Sequence, residues 1–217
     1  MNSLPRVLVV ALLSLFASIA QARDLKHDLH FSLDAGLVGW SKMKIERPFR
    51  GEAENKVTEV GFPTALGAHV GFMPFDVLET GVRFSCKYTK NDRDGDTISS
   101  SVNEVYAYAR YVMPGDSWRP FVGPIIGAGF FRDSNPSENG GPSYSSHGTD
   151  FSVGGELGLY GFVFDGLSLD PVFSFTYNRG SADVGAALPD LIGANVNADY
   201  HGFQLALGLS LSGWVSL

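Results

Sequence analysis

From residue 203 to residue 211 the chain alternates strictly. Phe203, Leu205, Leu207, Leu209 and Leu211 are large and apolar, while Gln204, Ala206, Gly208 and Ser210 are small or polar. A period of two is that of a β-strand, and an all-apolar face opposite a small, polar one suits a strand with lipid on one side and a lumen on the other.

The same alternation recurs upstream. Near 28–40, Leu29, Phe31, Leu33, Ala35 and Leu37 oppose His30, Ser32, Asp34 and Gly36, and near 62–73, Phe62, Leu66, Ala68, Val70 and Phe72 oppose Gly67, His69 and Gly71. Near 78–90, Leu78, Val82, Phe84, Cys86 and Tyr88 oppose Glu79, Arg83, Ser85 and Lys87; near 102–113, Val105, Ala107, Ala109 and Tyr111 oppose Glu104, Tyr106, Tyr108 and Arg110. Three further segments, near 119–132, 150–164 and 168–178, carry Ile126 and Phe130 against Gly127 and Gly129, Val153 and Leu157 against Gly154 and Glu156, and Phe173 and Phe175 against Asp170 and Ser174. Repeated inward glycines let a narrow wall pack closely.

With the last segment this makes eight strands. The connections alternate between short ones, near 74–77, 114–118 and 165–167, and long ones, near 41–61, 91–101, 133–149 and 179–199. The expectation is an all-β fold, an eight-stranded antiparallel up-and-down transmembrane barrel with periplasmic termini and four outward loops.

The first residues add an export signal. Arg6 precedes an apolar run from Val7 to Ile19 and then Ala20-Gln21-Ala22, the small-x-small pattern of a cleavage site. The run of about 13 residues is short beside the ~20 of a spanning helix. Residues 1–22 read as a cleavable signal peptide and 23–217 as one barrel domain. Charged residues make up 18% of the chain, aromatics 12%, and there are 26 glycines, a profile of short strands and tight turns. The net charge of −7 argues against a nucleic-acid partner, which needs a basic face. The lone Cys86 allows no intramolecular disulfide.

Val105-Tyr106-Ala107-Tyr108-Ala109-Arg110-Tyr111-Val112-Met113, Arg119-Pro120-Phe121-Val122-Gly123-Pro124-Ile125-Ile126-Gly127-Ala128-Gly129 and Gly154-Gly155-Glu156-Leu157-Gly158-Leu159-Tyr160-Gly161 carry a resemblance. The chain resembles the small outer-membrane β-barrel family that includes the transmembrane domain of outer membrane protein A and its OmpX- and OmpW-like relatives. The resemblance implies a Gram-negative outer-membrane location, a monomer in contact with membrane lipids and lipopolysaccharide, and handling by periplasmic chaperones and the barrel-assembly machinery. It implies no cofactor. Two departures stand out: the chain ends in Leu217 instead of an aromatic residue, with Trp214 nearby, and no peptidoglycan-binding domain follows the barrel pattern.

The inward faces collect Asp34, His69, Glu79, Arg83, Lys87, Glu104, Arg110, Glu156 and Asp170. An eight-stranded barrel is only just filled by side chains, so such charges must pair. The expectation is that Arg83 and Arg110 take Glu79 and Glu156 as counterions and that Lys87 meets Glu104 nearer the outer mouth. The network is then either a static polar plug or a gate whose charges re-pair. Ser145, Ser146, His147 and Asp150, expected on the third outer loop, are the candidates for a hydrolytic site, and Asp92, Asp94 and Asp96 are weak candidates for calcium because the later glutamate of a calcium loop is missing. The first loop, with Lys42, Lys44, Glu46, Arg47, Arg50, Glu52, Glu54 and Lys56, reads as solvated; the fourth, with Ala186, Ala187, Leu188, Leu191 and Ile192, as facing headgroups or a partner.

The expected function is non-enzymatic: envelope integrity or surface contact, with a narrow or closed lumen. The alternatives are a small gated channel or OmpW-like conduit, and a secreted lipocalin-like barrel. The last needs an apolar interior, and Glu79, Arg83, Lys87 and Arg110 lie on the wrong face for it.

Overall fold

The computed structural model describes residues 25–47, 51–60, 65–93, 96–135, 144–184 and 196–217. Within these, the side chains of 45–60, 89–99, 133–135, 144–145, 184 and 196–198 lie outside the description. The signal segment, Phe62, and the apolar residues Ala186 to Ile192 also fall outside the described residues, and so do the side chains of Asp92, Asp94 and Asp96.

Among the described residues there are nine strands and no helix: β1 (Asp28–Arg47), β2 (Gly51–Val60), β3 (Leu66–Phe75), β4 (Leu78–Arg93), β5 (Asp96–Val112), β6 (Trp118–Asn135), β7 (Tyr144–Phe164), β8 (Leu167–Val184) and β9 (Val196–Ser216). All pairings are antiparallel between sequence neighbours, except that β1 also pairs β3, and β1 closes the ring against β9 from Asp28↔Ser216 to Glu46↔Asp199. The ring has eight positions, because β2 and β3 share one of them. β1 pairs β3 through Leu29 to Ala35 and β2 through Val38 to Arg47.

This corrects the reading of 41–61 as a solvated loop. Lys42 and Lys44 stand on the upper half of β1, and Glu46, Arg47, Glu52, Glu54 and Lys56 lie in the β1–β2 ladder, which pairs Lys44↔Glu54 and Glu46↔Glu52. The other long connections also shorten, since β4 runs to Arg93 and β5 starts at Asp96, and β6, β7, β8 and β9 reach similarly far. A second correction concerns Leu37. A bulge between Gly36 and Val38 sets Val38 opposite Leu207, so above it the outward phase passes from odd to even residues and Leu37 leaves the lipid-facing register.

Burial follows the alternation. Phe31, Leu33, Val70, Phe84, Ile126, Val153, Leu157 and Leu211 are exposed, whereas Tyr106, Tyr108, Arg110, Glu156, Tyr160 and Asp170 between them are buried. An apolar exterior around a charged interior is the inverse of a soluble barrel, and it is what lipid demands.

The end bearing the short turns holds an apolar layer. Leu25, Met73, Val112, Phe121, Tyr160, Phe162, Val172 and Trp214 form one buried apolar cluster. Leu25 reaches it because the chain ahead of β1 folds across the opening: the Leu25 amide donates to Asp76 Oδ1 at 3.0 Å, the Asp28 amide to the Leu25 carbonyl at 3.0 Å, and the His27 amide to the Met73 carbonyl at 2.7 Å. His27 turns the chain there with φ of 66°. Asp76 also receives Arg119 Nη1 at 2.9 Å, which ties the cork to the β5–β6 turn.

Candidate functional site

Cross-strand rows carry the lumen side chains, and glycines decide which of them meet. One row runs Glu79↔Arg110 and then Gly123↔Glu156. A Cβ at Gly123 would collide with the Ala109 and Arg110 backbone, so the bare position lets Arg110 extend over β6. Its Nε reaches Glu156 Oε1 at 2.6 Å. A second row runs His30↔Gly71, Gly71↔Gly81 and Gly81↔Tyr108. Added Cβ atoms at Gly71 would press on Glu79 Oε1 and the Tyr108 hydroxyl.

At the centre lies Glu79. Its carboxylate accepts the Tyr108 hydroxyl at 2.8 Å and the Tyr160 hydroxyl, stands 2.8 Å from His30 Nδ1, and lies 3.4 Å from Arg110 Nη1. Arg110 Nη1 also donates to the Tyr160 oxygen at 2.6 Å, and its guanidinium sits 4.2 Å from the Tyr108 ring centroid and 4.4 Å from that of Phe121. Aromatic faces contribute to the desolvated cation what hydrogen bonds alone leave undone.

Glu156 is shared. Arg83 Nη1 approaches its Oε2 at 2.8 Å, while Arg83 Nε stands 3.6 Å from Asp34 Oδ2. Asp34 in turn holds His69 Nδ1 at 2.9 Å and the Ser32 hydroxyl at 3.0 Å. The His30 and His69 rings meet edge-to-face at 4.6 Å, and His30 stacks flat on Trp214 at 4.1 Å and 4°. The chain Glu79–Arg110–Glu156–Arg83–Asp34 is therefore continuous, and each link is buried or nearly so.

Residues 8–210 match the family model described as outer membrane protein beta-barrel domain. The chain belongs to that family. Among solved structures, this outer-membrane β-barrel is similar to the outer membrane protein OprG from Pseudomonas aeruginosa, at 12% identity and a TM-score of 0.53 over 86% of this chain and 96% of that one. It is also similar to Neisserial surface protein A, NspA, at 16% identity and a TM-score of 0.45 over 84% and 95% of the two chains. A third is the outer membrane protease OmpT from Escherichia coli, at 9% identity and a TM-score of 0.44 over 85% and 96%. At these identities the likeness concerns fold alone. The comparison with curated proteins finds no match.

Not every inward residue of this outer-membrane β-barrel joins the ionic chain. Asp170 lies apart, on the row Asp34↔Ser210↔Asp170. Among the described residues, no guanidinium contacts it. It accepts the Ser212 hydroxyl, the Ser168 hydroxyl at 3.1 Å and the Gly161 amide at 3.3 Å, and Ser168 also receives the Trp214 indole N–H at 2.8 Å. Glu104 is higher in the lumen and accepts the Ser85 hydroxyl at 2.8 Å; Lys87 stands one step above it, opposite Val102 on the ladder.

The candidate hydrolytic residues do not all share one face. They belong to β7, which begins at Tyr144, and not to a loop. His147 shares an outward row with Arg132 and Asp183 and lies 3.5 Å from Asp183, whereas Asp150 shares an inward row with Gly129 and Gly180. Ser146 follows the phase of Asp150. A nucleophile, base and orienting carboxylate need one face, and the strand sets Ser146 and Asp150 on the face opposite His147, while the side chain of Ser145 lies outside the description.

Sequence reasoning passed over His30, Tyr108, Tyr160 and Trp214 as parts of the network. Their signal was the inward phase at a charged level, legible for Tyr108 and Tyr160 beside Arg110 and Glu156. For His30 and Trp214 the signal lay in ring closure between β1 and β9.

Proposed function

We propose that this outer-membrane β-barrel is a non-enzymatic wall protein serving envelope integrity or surface contact, with its lumen closed. Both termini face the periplasm in this reading, and the β1–β2 ladder and the extended ends of β4 to β9 stand outward toward lipopolysaccharide. The observation that carries it is that buried side chains occupy two successive levels of the lumen. The apolar cork around Leu25, Met73, Phe162 and Trp214 closes one end, and the Glu79–Arg110–Glu156–Arg83–Asp34 chain fills the bore above it. An eight-stranded bore is only just filled by side chains, so two such layers argue against a water-filled path.

The test is electrical. The purified barrel, folded into planar bilayers, is expected to give no single-channel steps above the lipid baseline. Defined steps in the native protein would sink the closed reading.

The gated-channel reading has one observation in its favour: Glu156 holds two guanidinium groups at once, and a shared counterion is a place where pairing can shift. It requires the cork to move as well.

A further inference from the structure

We infer that His30, His69 and Glu79 form a binding site for one divalent cation of the zinc, copper or nickel class, inside the lumen. Three buried groups offer donor atoms that all lie within 4.8 Å of one another. Two donors on one such ion stand at most about 4.2 Å apart, given bonds of about 2.0–2.2 Å, so sub-ångström side-chain shifts close the cluster onto it.

The orientation of the imidazoles is the stronger argument. An ionised carboxylate only accepts, so His30 Nδ1–H donates to Glu79 and His69 Nδ1–H to Asp34. His69 is thereby fixed as the tautomer with a lone pair on Nε2, and that atom is buried without a hydrogen-bond partner among the described residues. His30 faces Glu79 through Nδ1 at 2.8 Å, so on this ring the ion takes the place of the Nδ1 proton, which moves to the bare Nε2. For His69, the Asp34 carboxylate behind the ring and a bare nitrogen in front is the arrangement by which proteins orient metal-binding histidines.

Charge points the same way. The connected cluster sets three carboxylates, Asp34, Glu79 and Glu156, against the two guanidinium groups of Arg83 and Arg110. A cation at the histidines offsets the excess negative charge in a medium where leaving it uncompensated is costly. Imidazole with one carboxylate suits zinc, copper(II) and nickel(II), while magnesium and calcium favour oxygen-only sites.

The experiment is to fold the full barrel in detergent micelles with zinc sulfate, dialyse, and measure retained zinc by elemental analysis. One equivalent is expected in the native protein and in His147→Gln, an outward-facing control, and none in His69→Gln. Asp34→Asn should weaken zinc binding by about 10–100-fold while the donors remain. Should His69→Gln fail to fold, as heat-modifiable gel migration would show, copper(II) titration reads the site in a Trp40→Phe/Trp118→Phe background. There Trp214, stacked on His30, should be quenched stoichiometrically. Zinc retained equally by His69→Gln, zinc lost with His147→Gln, no retention at all, or copper binding that leaves Trp214 emission unchanged each overturns the site.

Discussion

At the scale of single residues, the difference between a charge in the bore and one on the rim is a difference of solvent. Arg110 is fully buried, with Glu79, Glu156 and two aromatic faces around it, and Lys44 is exposed on the upper half of β1. Removing one partner of a desolvated pair costs about 3–5 kcal/mol, while an exposed pair contributes about 0–1. Arg110→Ala is therefore expected to unfold at clearly lower urea than Lys44→Ala in lipid vesicles. Equal midpoints would mean that water reaches Arg110. A second residue-scale effect sits outside the membrane span, at the turn. The hydrogen bond from Arg119 holds the Asp76 carboxyl below its ordinary value of 3.8, against the opposing effect of partial burial. A depressed folded value stabilises the barrel above the unfolded value and loses that stability as pH falls through the folded one. Acidification from pH 5 toward about pH 2 should thus loosen the Leu25 cork in the native protein, and Asp76→Asn should flatten that part of the stability profile. If native and variant profiles keep the same slope, the Asp76–Arg119 tie does not anchor the cork.

At the scale of elements, the governing rule is the period of two, and it was legible wherever lipid reads one face. Leu207 is outward and exposed on β9, and Ala206 beside it is inward, across from Gly39 and Ser174. Leu207→Arg is expected to cost ~2–4 kcal/mol near the bilayer midplane, and Ala206→Ser little. Equal effects of the two on folding into vesicles would show that the assigned phase is wrong. The same rule explains what the sequence hid. Lys42, Lys44, Glu46 and Glu54 lie in the β1–β2 ladder, where charged residues recur without any apolar alternation to announce a strand. The bulge at Gly36 and Val38 was hidden for another reason, since a one-residue slip swaps faces while the residue types on either side stay compatible with both. In the lumen, Arg110 and Glu156 were readable as inward charges at one level. The His30–Trp214 stack was not, because it joins residues 184 positions apart whose meeting is set by the stagger with which β9 closes on β1. Asp170 was placed with the charges because inward carboxylates call for counterions, yet Ser168, Ser212 and the Gly161 amide surround it with donors instead. Hydroxyl partners carry no charge pattern for a sequence reading to detect.

At the scale of the whole molecule, the closed-lumen reading sets two barriers in series, and together they make a prediction that neither makes alone. The cork of Leu25, Met73, Val112, Phe162 and Trp214 and the ionic chain through Arg110 occupy successive levels of one bore. Resistances in series are set by the larger one, so opening a single barrier leaves the path shut. Arg110→Ala should lower stability and leave the current across a planar bilayer at baseline. Trp214→Ala, which removes the ring that packs on His30, Tyr160 and Phe162, should do the same. Only the double variant is expected to conduct, with steps that appear when the lipid-facing belt, unaltered by either change, still holds the barrel in its folded, heat-modifiable form. Conduction by Arg110→Ala alone would mean that the cork is no barrier and the ionic chain is the gate, which is the channel reading. A double variant that migrates as a folded barrel yet stays silent would place a further closure above Glu104, among the outward ends of the strands.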